Sequence, residues 1–187
     1  MLKRIFTTTT LVAAFGVAWP SFAQAPKPTE TPTTPVKIKR TETVAADNWT
    51  ITCSLPDQPS AKWRCAADTK LAQTENNVQR VVFTWTIADQ DGKLLSVVSV
   101  PPGVLIGPGV QLRVNDKDVR KIVFSLCQPD HCEAAIPLDD DLQKTLIAAP
   151  TAEFSVVATN GVTVKFSAAT KGIEEAITAI AKTTAKK

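Results

Sequence analysis

The stretch Val81-Val82-Phe83-Thr84-Trp85-Thr86-Ile87 decides the fold class. Val81, Phe83, Trp85 and Ile87 alternate with Val82, Thr84 and Thr86, so large apolar side chains recur with period two. A helix would scatter them round its axis, whereas a strand sends them to one face. The same alternation lies on either side. Trp49, Ile51 and Cys53 alternate with Thr50, Thr52 and Ser54, and Trp63, Cys65 and Ala67 with Arg64, Ala66 and Asp68. Val110, Leu112 and Val114 alternate with Gln111, Arg113 and Asn115. Further β-rich runs cover 94–100, 119–127, 154–159 and 162–167. Asn160-Gly161 between the last two is a strong hairpin signal, because a two-residue hairpin turn wants φ > 0 at both positions. Asp91-Gly92 and Pro101-Pro102-Gly103 mark further turns. Trp49, Trp63 and Trp85 each fall on an apolar strand face, which favours core packing over a role as sugar-stacking platforms.

Two helices complete the pattern. One begins at Asp139-Asp140-Asp141, with Asp139 as N-cap and Leu142, Leu146 and Ala149 on one side. The other follows Gly172, with Ile173, Ala176, Ile177 and Ile180 at i, i+3, i+4 and i+7. Many short strands with one or two short helices predict a mainly β chain: an antiparallel β-sandwich, immunoglobulin-like or jelly-roll-like, with two disulfides.

Upstream of the first strand the sequence changes character. Lys3 and Arg4 precede an apolar run over 11–19, and Ser21-Phe22-Ala23 fits a signal peptidase site. The expected signal peptide is 1–23, cut between Ala23 and Gln24. The apolar run is too short to span a bilayer, so no integral membrane span is expected after processing. Residues 24–46 hold Pro26, Pro28, Pro32 and Pro35 among many Thr, with Val36, Ile38 and Val44 as the large apolar residues. Such a segment buries too little to offset its ordering entropy and reads as a disordered Pro/Thr-rich stalk. The folded domain is then expected at 47–182, with a flexible tail at 183–187.

Composition narrows the function classes. The chain has 187 residues, 44% apolar and 21% charged, which excludes collagen, a coiled coil, wholesale disorder and a polytopic membrane protein. The formal charge of +3 is partly the signal peptide: residues 24–187 carry 19 basic and 18 acidic residues, and 47–187 carry 15 and 16. A near-neutral domain gives no reason to expect nucleic acid as partner.

The four cysteines are an even number in an exported chain, and an oxidising compartment favours disulfides. Three pairings can be drawn. Local spacing favours Cys53–Cys65 and Cys127–Cys132, closing short loops worth about 3 and about 2 kcal/mol in loop entropy. A zinc site fits less well, because Cys53 and Cys65 lack the close spacing of paired ligands. No C-x-x-C occurs for thiol redox chemistry.

Chemistry is sparse. His131, inside the Cys127–Cys132 loop, is the one histidine, so any histidine-based hydrolysis would have to use it. Neither G-x-S-x-G nor S-x-x-K occurs. Asp139, Asp140 and Asp141 point about 100° apart on a helix and do not converge on an ion. Asp89-Gln90-Asp91-Gly92 opens like a calcium loop, but its Gly comes early and its last ligand position falls on Val100, so a turn is expected there. No catalytic residue, cofactor or metal site is expected.

In order along the chain, several elements resemble the invasion-associated locus B family of exported bacterial proteins. They are Trp49-Thr50-Ile51-Thr52-Cys53, then Cys65, then Val98-Ser99-Val100-Pro101-Pro102-Gly103-Val104-Leu105 and Gly109-Val110-Gln111-Leu112. Phe124-Ser125-Leu126-Cys127, Cys132-Glu133-Ala134, Val164-Lys165-Phe166-Ser167 and Lys171-Gly172-Ile173 follow. The resemblance spans 48–181 and rests on the order of the motifs with the cysteine spacing. His131 stands where the family usually has Gly, and Ile173 where it usually has Phe. The resemblance implies a small disulfide-bonded β-sandwich, periplasmic or secreted, and it carries over no catalytic residue. The expected function is a non-enzymatic cell-envelope or secreted protein-binding module, its partner unknown and lying in the envelope or on a host cell, with a role in host-cell interaction or virulence. The alternative is a periplasmic enzyme or enzyme inhibitor acting through the His131 loop.

Overall fold

Three two-residue turns organise most of the chain. Asn76-Asn77 (φ 50° and 60°), Asp91-Gly92 (54° and 83°) and Asn115-Asp116 (51° and 61°) all have positive φ at both positions. Their twist matches that of the flanking strands, so each closes a tight antiparallel hairpin. The structure, a computed structural model, describes residues 38–184. Within them run β1 (Ile38–Ala46), β2 (Trp49–Pro56), β3 (Arg64–Glu75), β4 (Val78–Gln90), β5 (Lys93–Val100), β6 (Val110–Val114) and β7 (Lys117–Ile122). After them come β8 (Phe124–Cys127), β9 (Cys132–Pro137), α1 (Asp140–Ile147), β10 (Thr151–Val157), β11 (Thr163–Ala169) and α2 (Ile173–Thr184). The strands form a seven-stranded sheet in the order β1-β2-β3-β4-β5-β9-β8 and a four-stranded sheet in the order β11-β10-β6-β7. Every strand pairing is antiparallel.

The mainly β sandwich of two antiparallel sheets with two helices and two disulfides is as expected. The first five strands form a meander, because the turns at 47–48, 76–77 and 91–92 are too short to carry the chain past a neighbour.

Aromatic rings join the layers. The Phe83 ring lies 4.9 Å from Phe166 and 5.1 Å from Phe154, and the Trp85 ring 4.9 Å from Phe154 and 4.9 Å from Trp49. Phe83 and Trp85 come from β4, Phe154 from β10 and Phe166 from β11, so the inner faces of the two sheets meet here. The buried Trp85 Nε1–H donates to Ser96 Oγ at 2.9 Å, which satisfies the polar edge of an otherwise apolar ring. Helix α2 packs across β2, β3 and β4, burying Ile173, Ala176, Ile177 and Ile180 where the narrower sheet leaves the wider one uncovered. Asp139 caps α1 by accepting from the Leu142 N–H at 2.8 Å, and Leu142, Leu146 and Ala149 are buried.

Several expectations are corrected. Residues 38–46, read as part of the stalk, are strand β1, paired with β2 from Ile38↔Pro56 to Ala46↔Trp49, so the folded domain begins before residue 47. The low apolar content did foretell burial, since all of β1 but the half-buried Ala46 is exposed. A strand added to an existing edge, however, is held by backbone hydrogen bonds and needs no apolar face. At the other end α2 runs through Thr184, two residues into the expected tail. The run 119–127 is divided: β7 pairs with β6 in the small sheet, β8 with β9 in the large one, and the chain changes sheets at the exposed Val123. At Asn160-Gly161 a hairpin forms, but only Gly161 has positive φ, at 83°. The Asn160 side chain instead accepts from the Val162 N–H at 3.0 Å, and Gly161 N–H donates to Ala158 O at 2.8 Å, which makes a longer, bulged turn. Trp63 lies just before β3, half-buried, with the Arg40 guanidinium 5.9 Å above its ring, so it is not a core residue like Trp49 and Trp85. Val81 is 55% exposed, the one member of its alternating set outside the core.

The expected signal peptide with its Ala23/Gln24 cleavage site, the stalk over 24–37 and the tail over 185–187 lie outside the described residues.

Candidate functional site

The loop that carries His131 is built by its flanking strands. β8 and β9 pair so that Cys127 stands directly opposite Cys132, with a disulfide between them. Gln128, Pro129, Asp130 and His131 close the turn, and Gln128 N–H donates to His131 O at 2.7 Å. The second bridge, Cys53–Cys65, joins directly opposed residues of β2 and β3 in the same way. All four cysteines are thus consumed by the two local pairs, and no free thiol remains. The bridges sit toward opposite ends of the large sheet, since Cys65 opens β3 while Cys132 is level with Val100 at the end of β5.

His131 is held from both sides. Its Nδ1 lies 2.9 Å from Asp130 Oδ1 and its Nε2 3.1 Å from Glu133 Oε1, with the ring side chain 30% exposed. The Asp130 hydrogen bond raises the His131 pKa above 6.5, the charges of Asp130 and Glu133 add to the rise, and partial desolvation opposes it. The same bond with His131 holds the Asp130 carboxyl below its ordinary value of 3.8. The arrangement therefore favours an imidazolium that donates from both nitrogens.

A pH dependence follows with a definite sign. The folded His131 pKa lies above the unfolded one, so its stabilising contribution is complete below about pH 6.5 and disappears as pH rises through the folded value. An NMR titration of this single histidine should show a midpoint above 6.5 that drops in Asp130→Asn. An unchanged midpoint in that variant would show that the Asp130 contact does not form in solution.

The acidic motifs resolve as local structure. Asp139 caps α1 and also receives Arg120 Nη2 at 3.1 Å, which together hold its carboxyl below the usual range. Asp89 Oδ1 accepts from the Gly92 N–H at 3.2 Å inside the β4–β5 turn. Among the described residues no cluster of three or more His, Cys, Asp or Glu is placed to hold a metal ion, and no helix is long and apolar enough to cross a membrane.

Two surface features escaped the sequence reading. One is the exposed edge strand β1. The other is the length of β3 and β4, which run together well past their neighbours to the turn at Asn76-Asn77. That turn was legible in principle, because asparagine is among the few residues that accept left-handed φ. Glu133, the second partner of His131, could be expected only once β9 was recognised, and Cys132-Glu133-Ala134-Ala135-Ile136-Pro137 carries few strand-favouring side chains.

The family of Invasion associated locus B (IalB) proteins matches residues 49–181. The crystal structure of invasion associated protein b from Bartonella henselae is similar in fold, with a TM-score of 0.61 at 19% identity over 74% of this chain and 95% of that one. Among curated proteins, nothing matches.

Proposed function

The chain belongs to the invasion associated locus B family, and we propose that it is an exported, non-enzymatic module that works by binding another protein in the cell envelope or on a host cell. Export is supported by the sequence of residues 1–24, by the two disulfides and by the family. The mature chain then starts at Gln24, and N-terminal sequencing of the periplasmic or secreted protein should begin there. A mature pool that starts at Met1 would overturn the exported reading. The names of the family and of the Bartonella henselae protein attach invasion to those relatives, and they support a partner outside the cytoplasm for this chain.

The observation that carries the non-enzymatic reading is the engagement of both His131 nitrogens by carboxylates. A general base needs a free nitrogen lone pair facing its substrate. A ring with a carboxylate at each nitrogen holds its loop in place and has neither nitrogen turned to a substrate. This weighs against the rival reading of an enzyme working through His131.

His131→Gly tests the choice. Glycine tolerates the backbone of a short loop, and the charge it removes is not needed for proton transfer if the protein only binds. Partner binding, or an envelope phenotype that responds to deleting the gene, should survive the substitution. A His131-dependent enzyme should lose on the order of 10²-fold or more. A folded, disulfide-intact variant that fails the assay would sink the binding reading.

A further inference from the structure

β1 ends the large sheet, and among the described strands it pairs with β2 alone. Ile38 through Ala45 are all exposed, Val44 by 60%. The shift in its pairing lies between Ile38 and Arg40, so the strand is regular from Arg40 to Ala46. An edge of this length is usually blunted by proline, by lysine or by a covering loop. β1 holds no proline, and its one lysine, Lys39, falls in the irregular part. The Arg40 and Glu42 charges answer each other, 2.7 Å apart.

The groups that this edge presents follow from the disulfide further into the sheet. Cys53 and Cys65 are directly opposite with Cα atoms 4.0 Å apart, the spacing of a non-hydrogen-bonded antiparallel pair. Cys53 therefore turns its N–H and C=O toward β1, where it stands opposite Glu42. Alternation then aims the N–H and C=O groups of Thr41, Thr43 and Ala45 away from β2, at the open side.

We propose that this edge is a self-association surface, where two copies of the chain pair their β1 strands antiparallel about a two-fold axis at Thr43. Such an axis sets one residue opposite its own copy. Thr43 is the midpoint of the regular stretch, and with it on the axis Thr41 stands opposite Ala45 of the second copy. All three outward residues then fall in hydrogen-bonded pairs. Other centres do worse. Glu42 on the axis would set two carboxylates face to face. Val44 would leave Thr41 opposite the turn at Asp47, and Thr41 would carry the pairing into the irregular part and leave Ala45 out.

The side chains agree with this register. Glu42 faces Val44 of the second copy and Arg40 faces Ala46, so no like charges are opposed. Val44 already stands beside the buried Ile51 of β2, and the Glu42 stem of the second copy covers it further. Thr43 meets its own copy on the face away from the core, a favourable cross-strand pair. Lys39 comes level with Asp47 of the second copy, opposite in sign. Helix α2 packs mainly over β2, β3 and β4, further into the sheet, so the two large sheets can join edge to edge. A contact of seven residues a side, Arg40 to Ala46, buries well under the roughly 1,000 Å² of a stable interface, so the dimer is weak.

Sedimentation of the mature chain from micromolar to about millimolar concentration should show a monomer–dimer equilibrium. Thr43→Lys and Thr43→Asp each set like charges across the axis and should weaken it roughly five-fold. Mixing the two variants should restore association as a heterodimer, which only an interface with residue 43 facing its own copy predicts. Thr43→Pro removes an outward N–H from each copy, leaves the β1–β2 hydrogen bonds in place, and should weaken the dimer about ten-fold. Circular dichroism of each variant confirms that the domain is folded. A wild-type chain that remains monomeric throughout, or a dimer indifferent to the charge changes and their mixing, overturns the proposal.

Discussion

Gly172→Ala should lower the unfolding free energy by about 3 kcal/mol, the range reserved for substitutions that strain the backbone and collide in the interior. Gly172 is buried, has φ +92° and stands immediately before α2. Any L side chain there costs about 1–2 kcal/mol in conformation alone. A Cβ at this position would also run into the Ala46 carbonyl oxygen and lie 3.1 Å from the Asp47 Cβ. Both belong to the end of β1 and its turn into β2, which the Lys171–Asp47 ion pair at 3.0 Å holds against the start of α2. Backbone must therefore move, and with it the seat of the helix. Gly161→Ala is the matched control, with φ +83° and nothing within 4 Å of the added carbon. Urea unfolding of both variants separates the two costs. Equal losses would show that the close approach to Ala46 contributes nothing.

Phe154→Ala should cost about 3–5 kcal/mol, the usual penalty for deleting a fully buried aromatic ring. Phe154 is 0% exposed and touches Phe83 and Trp85 across the layers of the sandwich. Its removal leaves a cavity bounded by rings that belong to strands already fixed by their own pairing, so collapse into the space is limited. The Trp85 fluorescence should shift as its neighbour at 4.9 Å is lost. Phe154→Leu keeps most of the volume and should cost less than about 1.5 kcal/mol. A loss below about 1 kcal/mol for the alanine variant would contradict the placement of this ring at the centre of the core.

Much of the fold was legible because period-two alternation reports burial directly. Ile51, Ala67 and Ile87 are each other's neighbours across three strands, and all are buried. The two helices were legible through Asp139 as a cap and through the spacing of Ile173, Ala176, Ile177 and Ile180. The disulfides were legible because each pair lies on strands joined in sequence order, where a local bridge needs no knowledge of the rest. The His131 loop was legible as a place, but its carboxylate partner Glu133 was not, since that contact depends on β9.

By itself, then, the sequence determined the strand-rich class, the hydrophobic faces and the local cysteine pairs, all of which depend on neighbours a few residues away. Tertiary structure decided what depends on partners far along the chain. It recruited Ile38–Ala46 to the edge of β2, where backbone hydrogen bonding rewards a strand with no apolar face. It divided one β-rich run between two sheets, because β6 and β9 offered competing edges on either side of Val123. It also let β3 run on beyond the level of Trp49, where β2 begins, and only the assembled sheet reveals where one strand outlasts its neighbour.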